Sequence, residues 1–174
     1  MQRLACLFLV VTAACGGGTE TGEASLSNTM PPVKSAAAKP FTGADGAGMM
    51  VLGWKVELYS NDPGSDCTEA SKVGTIGIYT SQAASSGPQA LLNTGDITIV
   101  PTAPPTAIGT GYVANLSVNG LSISSGIVNL SEFHLTADAK HADHMTGTIS
   151  AGGTDAGTGM DVTVTGMFAA PVCE

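Results

Sequence analysis

Imidazole and carboxylate side chains are concentrated in one short segment of this 174-residue chain. All three histidines lie there with two aspartates, and the five residues are His134, Asp138, His141, Asp143 and His144. Imidazole nitrogens and carboxylate oxygens are ligands of first-row transition metals, and His141 with His144 can chelate one ion if the segment curls helically. On a strand, residues three apart face opposite sides, which would separate that pair. We therefore expect a solvated polar turn, with a metal site as the alternative.

The sequence lacks the motifs of several enzyme classes. No Gly-x-Ser-x-Gly elbow accompanies its serines. The segment His141–His144 has the wrong spacing for a zinc-protease helix and no interior Glu. Gly109–Ala114 follows a proline-rich loop and begins a predicted strand, whereas a dinucleotide site needs a strand before it and a helix after it. We therefore predict a protein that is not an enzyme, with no catalytic residue and no cofactor.

The charge balance excludes one class of partner. The chain has 14 Asp and Glu against 6 Lys and Arg, which gives a formal net charge of −8. Binding of nucleic acid depends on neutralising phosphates with Lys and Arg, and this sequence has no basic cluster for that purpose. Nucleic acid is therefore not an expected partner.

The first 14 residues have the order of a secretory signal peptide. Arg3 supplies an early positive charge, Leu4–Val11 is apolar, and the small residues Thr12–Ala14 precede Cys15. The stretch from Leu4 to Ala14 is only about half of the roughly 20 apolar residues that a membrane span needs. We predict a signal peptide at residues 1–14 and an exported mature protein.

Cys15 and its neighbours resemble the lipobox of bacterial lipoproteins, although Thr12 stands where Leu is usual. This resemblance implies that Cys15 carries a diacylglyceryl thioether and an N-acyl chain such as palmitate. Two or three acyl chains anchor a protein stably, whereas one binds only marginally. Gly16 after the cysteine implies, by the same resemblance, sorting to the outer membrane of the cell envelope. Cleavage without lipidation and a retained hydrophobic tail are the alternatives.

Two further cysteines remain in the mature chain, because Cys6 leaves with the signal peptide. Cys67 and Cys173 are expected to form one disulfide, since the exported compartment is oxidising. The alternatives are two free buried thiols or two metal-binding thiolates. The last has little support, because no Cys or His lies two to four residues from either cysteine.

Composition divides the mature chain into a tether and one domain. Residues 15–47 are rich in Gly, Ala and Pro and hold almost no large apolar side chain, so we predict a flexible tether there. From residue 48 to residue 174, apolar residues alternate with polar ones, as in half-buried strands. Leu52, Trp54 and Val56 share one such face, opposite Lys55 and Glu57. We therefore place Trp54 in the core.

Local signals within the domain predict an all-β fold. Asn119-Gly120 is the strongest sequence signal for a hairpin turn in the chain. Phe133 is out of phase with Val128 and Leu130, and a bulge near Ser131-Glu132 would restore the phase. About seven or eight short strands without helical spacing predict an antiparallel β-sandwich, with a small closed β-barrel as the alternative.

Three segments of the domain resemble a recurrent type of small exported bacterial lipoprotein whose function is uncharacterised. These segments are Glu57–Cys67, Ser125–Leu130 and Thr165–Cys173. The resemblance implies the β fold and the pairing of Cys67 with Cys173. It implies no catalytic residue.

Together these features predict a lipid-anchored, extracytoplasmic β domain. We expect a non-catalytic interaction or envelope-surface module that is held to the membrane through its N-terminal lipid and binds an unknown protein or small ligand. The alternative is a lipoprotein that binds a small ligand or a metal through the loop from His134 to His144.

Overall fold

A computed structural model describes residues 22–44, 48, 50–61, 71–81, 92–101, 112–135 and 142–173. These residues contain nine β-strands and no α-helix. The strands are β1 (Gly22–Leu26), β2 (Ser35–Ala44), β3 (Met50–Tyr59), β4 (Lys72–Ser81), β5 (Gly95–Ile99), β6 (Tyr112–Val118), β7 (Leu121–Leu135), β8 (Ala142–Asp155) and β9 (Asp161–Pro171). The all-β class that the sequence predicts is confirmed. In this part of the chain we find no helix with the length and apolar character that crossing a bilayer requires.

All nine strands belong to one sheet that closes on itself. Their order is β1-β2-β3-β4-β6-β5-β7-β8-β9, and β1 pairs with both β2 and β9. The strand pairs are antiparallel except for β5 with β6, which run parallel. Past the N-terminal end of β1, Val172 forms an isolated bridge directly with Ala38 of β2. The first and last parts of the described chain therefore meet along one seam.

The inward face of the ring carries the hydrophobic core. Trp54 is fully buried there, as predicted, and its ring meets that of Phe133 edge to face with centroids 5.7 Å apart. Ile76, Ile78 and Val128 are also inaccessible to solvent. Full burial of an aliphatic side chain of this size stabilises a fold by about 1.5 to 3 kcal/mol, so this alternating face is the main source of stability.

The predicted tether is wrong for residues 22–44, which form β1 and β2 of the sheet. β2 pairs with β3 along its whole length, from Ser35 opposite Tyr59 to Ala44 opposite Met50. Ala36, Ala37 and Ala38 are completely buried. Small side chains can fill a tightly packed strand, whereas the tether was predicted from a composition rich in Gly, Ala and Pro and poor in large apolar residues. The rest of the predicted tether, residues 15–21 and 45–47, lies outside the described residues.

The predicted hairpin and bulge are both confirmed. Asn119 and Gly120 form the turn between β6 and β7, and Gly120 takes a φ of 77° that favours glycine. The pairing of β7 with β8 shifts by one residue between Leu130 and Glu132, so Ser131 is the extra residue. This shift turns Phe133 toward the core, where it contacts Trp54.

Candidate functional site

Two histidines and an aspartate meet where β7 ends and β8 begins. The Nδ1 atom of His134 lies 2.7 Å from Oδ1 of Asp143, and the Nδ1 atom of His144 lies 2.9 Å from the same oxygen. The two imidazole rings stack with centroids 4.9 Å apart and planes 11° from parallel. On the far side of its ring, the Nε2 atom of His144 is 3.4 Å from Oε1 of Glu132. We call these four residues the histidine cluster.

Strand pairing and two bulges assemble the histidine cluster. His134 on β7 pairs directly with His144 on β8. The register shifts again between His134 and Leu135, because Leu135 pairs with Ala142, so Asp143 is an extra residue on β8. An extra residue re-aims the side chains around it, which allows the neighbours Asp143 and His144 to reach the same spot. The bulge at Ser131 re-aims the side chains of β7 in the same way, so that Glu132 and His134 both face solvent.

Solvent reaches every member of the histidine cluster. The side chains are between 38% and 54% exposed. Partial burial by itself raises the pKa of Asp143, but hydrogen bonds and charge from His134 and His144 outweigh it and lower that pKa below its usual value. Asp143 is therefore ionised at neutral pH, with its charge directed at two imidazole nitrogens.

The geometry of the histidine cluster is compatible with a bound transition metal. One ligand atom each from His134, Asp143 and His144 lies within 4.8 Å of the other two. Zinc–nitrogen bonds of about 2.0 to 2.1 Å place neighbouring ligand atoms of a tetrahedral site about 3.3 Å apart. The two Nδ1–Oδ1 distances, 2.7 and 2.9 Å, are shorter than this, so a small movement of Asp143 away from the imidazoles would be needed to admit an ion. Two imidazoles favour zinc, copper or nickel over calcium or magnesium, which prefer oxygen.

The structure brings together only part of the segment that the sequence indicated. His134, Asp143 and His144 converge, whereas Asp138 and His141 lie outside the described residues. The convergence comes from pairing across two strands, and the helical curl considered for His141 and His144 plays no part in it. Glu132 was not among the predicted site residues. The sequence did contain a signal for it. The phase break in β7 that predicts the bulge also predicts that Glu132 faces outward.

The cysteine predictions stay predictions, because Cys15 and Cys67 lie outside the described residues. Cys173 is described, and it is buried beside Ala37 and Tyr59 on the outer side of the sheet. Its backbone N–H donates to the carbonyl of Ala38 at 2.8 Å. This position ties the last described residue to β2.

A second group of charged residues was also missed, and it surrounds Glu57 on the outer face of β3. The sequence correctly predicts that Glu57 faces away from the core, but the side chain is still buried, with 5% exposed. Nζ of Lys39 lies 2.8 Å from its carboxylate, Nζ of Lys72 lies 2.9 Å from it, and the Tyr59 hydroxyl donates to it at 2.7 Å. Lys39 could not be anticipated, since it belongs to the segment predicted to be a tether.

A groove of about 480 Å³ lies on the outer face of β1, β8 and β9. Its walls include Ser25, Lys34, Thr146 and Met167. Thr146 is two residues from His144 and on the same side of β8, so the groove begins next to the histidine cluster. A molecule bound at the cluster could therefore extend into it.

Comparison with known proteins gives no match to a family model, to a curated protein or to a solved structure.

Proposed function

We propose that this chain is a lipid-anchored, extracytoplasmic β-domain protein that binds a first-row transition metal and has no catalytic role. The observation that carries the metal proposal is the convergence of His134, Asp143 and His144, with three ligand atoms within 4.8 Å of one another. The sequence supports export and anchoring through its signal-like first 14 residues and Cys15. It also supports a binding role over catalysis, because it contains no serine-hydrolase elbow, zinc-protease helix or dinucleotide motif.

Calorimetry tests the metal site. We expect zinc, copper and nickel ions to bind the purified protein at neutral pH, because two imidazole nitrogens and one carboxylate oxygen converge there as ligand atoms. Replacing a ligand, as in His134→Ala or His144→Ala, should weaken binding by about 100-fold or more, beyond the loss typical of outer-shell changes.

Asp161→Asn is the matched control for the metal test. Asp161 is an exposed carboxylate at the start of β9 and belongs to no part of the histidine cluster. This variant should bind metal like the unmodified protein. Absence of binding heat with all three ions would refute the proposed function.

Anchoring is tested by fractionation and mass spectrometry. Cys15→Ala should move the protein from the membrane to the soluble fraction without changing its fold, because the lipid is attached to that thiol. Cys6→Ala is the control, since Cys6 leaves with the signal peptide and the protein should stay at the membrane. A membrane-extracted protein whose N-terminal peptide is unacylated would contradict the anchor.

A protein-interaction module is the second candidate function, and exposed apolar side chains favour it. Ile127 on β7 is 43% exposed and Met167 on β9 is 62% exposed, both on the outer surface of the sheet. A specific partner should co-purify from the membrane fraction with the unmodified protein and be lost with Ile127→Ser and Met167→Ser. Equal recovery with these variants would count against this surface.

A further inference from the structure

His144 has an acidic oxygen beside each of its two ring nitrogens. Nδ1 is 2.9 Å from Asp143, and Nε2 is 3.4 Å from Glu132. A neutral imidazole carries one N–H, so it can donate to only one of these oxygens and must present a lone pair to the other side. The carboxylate that receives the proton therefore decides which nitrogen is available as a metal ligand.

We propose that Glu132 is a positioning residue of the metal site. In the metal-free protein, Nδ1 of His144 faces the nearer carboxylate, that of Asp143 at 2.9 Å. For Nδ1 to bind a metal, the ring proton must be on Nε2, and the Glu132 carboxylate, 3.4 Å from Nε2, is placed to accept it there. Histidines that ligate metals usually donate their other N–H to such a carboxylate, which fixes the tautomer and makes the imidazole a stronger ligand. The inference rests on the proposed metal binding and adds an outer carboxylate to it.

The fold explains why Glu132 reaches this place. Ser131 is the extra residue of the bulge. In a regular strand with no bulge, the alternation of β7 would turn Glu132 toward the core. Glu132 pairs with Thr146, two residues along β8 from His144, so the carboxylate is a diagonal neighbour of that ring. The hydroxyls of Ser131 and Thr146 lie 3.0 Å apart and join the two strands at this level.

The test compares the unmodified protein with Glu132→Gln in zinc calorimetry and in ¹⁵N NMR of the histidine rings. We expect zinc binding to weaken by about 10- to 100-fold, the usual effect of removing an outer-shell carboxylate. In the zinc-loaded protein, the Nε2 proton of His144 should exchange with water faster in Glu132→Gln than in the unmodified protein, because the carboxylate that accepts it is gone. A general loss of negative charge would weaken binding without changing that exchange rate.

Glu23→Gln is the control, because Glu23 is an exposed carboxylate on β1 outside the cluster. It should change neither the zinc affinity nor the exchange rate of the His144 Nε2 proton. If zinc binds the unmodified protein and Glu132→Gln binds equally well, or the exchange rate of the His144 Nε2 proton is unaltered, Glu132 has no positioning role and the proposed function survives. If zinc does not bind the unmodified protein, the proposed function itself fails.

Discussion

At the scale of single residues, Glu57 shows how a buried charge is stabilised in this sheet. Burial alone raises the pKa of its carboxyl, but hydrogen bonds from Lys39, Lys72 and Tyr59, together with the charge of Lys72, lower that pKa to about 2. The folded state therefore binds the Glu57 proton more weakly than the unfolded chain, whose value is 4.5. The linked stabilisation is fully present above pH 4.5 and is lost as the pH falls toward 2.

Glu57→Gln should remove that pH dependence and destabilise the protein at neutral pH. The expected loss is about 3 to 5 kcal/mol at pH 7, because two lysines would keep their charges beside a neutral amide. The unmodified protein should lose about 3 kcal/mol of this contribution between about pH 4.5 and 2. Urea unfolding at a series of pH values measures both effects.

Glu23→Gln is the reference for that experiment, since Glu23 is exposed on β1. Its free energy of unfolding at pH 7 should change by less than about 0.5 kcal/mol. Equal unfolding midpoints for Glu57→Gln and the unmodified protein would show that the charges around Glu57 do not stabilise the fold.

At the scale of elements, the seam between β1 and β9 depends on glycine. Gly166 pairs with Leu26, and a Cβ at Gly166 would collide with the carbonyl oxygen of Ser25. Gly152, toward the end of β8, has room for a methyl group, since the nearest atom to its Cβ would be the Ser125 hydroxyl at 3.6 Å. The two glycines therefore differ in their tolerance of a side chain.

Gly166→Ala and Gly152→Ala form a matched pair of substitutions. We expect Gly166→Ala to lower stability by about 1 to 3 kcal/mol, the cost of forcing a methyl group into a packed region. Gly152→Ala should be neutral or stabilise by up to about 1 kcal/mol, because alanine restricts the unfolded chain. Thermal unfolding compares them. Similar losses for both would show that the close approach of β1 to β9 is not critical.

The two bulges are the elements on which the histidine cluster depends. Each adds one residue to one strand, and each reverses the facing of the residues after it. The bulge at Ser131 turns Glu132 and His134 outward, and the bulge at Asp143 lets that residue share a side with His144. The first could be predicted because it interrupts a hydrophobic alternation. The second could not, because the alternation that includes Met145 and Ile149 has no large apolar counterpart before Asp143 on β8 against which a change of phase would show.

At the scale of the whole molecule, β1 and β2 complete the ring. β2 covers one edge of β3, and β1 covers one edge of β9. Without them, two strand edges would expose unpaired backbone groups, which favours aggregation. Residues 22–44 are therefore part of the folding unit.

A truncation series tests this conclusion. A protein that begins at residue 22 should unfold at the same temperature as one that begins at residue 16, because all nine described strands remain. One that begins at residue 48 should lose cooperative unfolding or aggregate, since β1 and β2 are removed. Cooperative unfolding at an unchanged temperature in the shortest form would support the predicted tether and refute the closed ring as the stable unit.

The sequence alone determined the features that depend on local periodicity and on chain chemistry. Alternation with a period of two predicts strands, the core position of Trp54 and the bulge at Ser131, because facing in a strand follows directly from residue number. Asn119-Gly120 predicts its turn for the same local reason. The candidate metal ligands were found because the histidines are all concentrated between residues 134 and 144.

Tertiary structure decided the features that depend on partners distant in the chain. The strand that contains Ala36–Ala38 carries no large apolar side chain there, so the burial of these alanines depends on the neighbours that cover them. Glu57 faces outward by pattern, but its burial depends on Lys39 and Lys72 on the flanking strands. The histidine cluster formed through the pairing of β7 with β8, because cross-strand register places side chains together and the order of residues does not encode it.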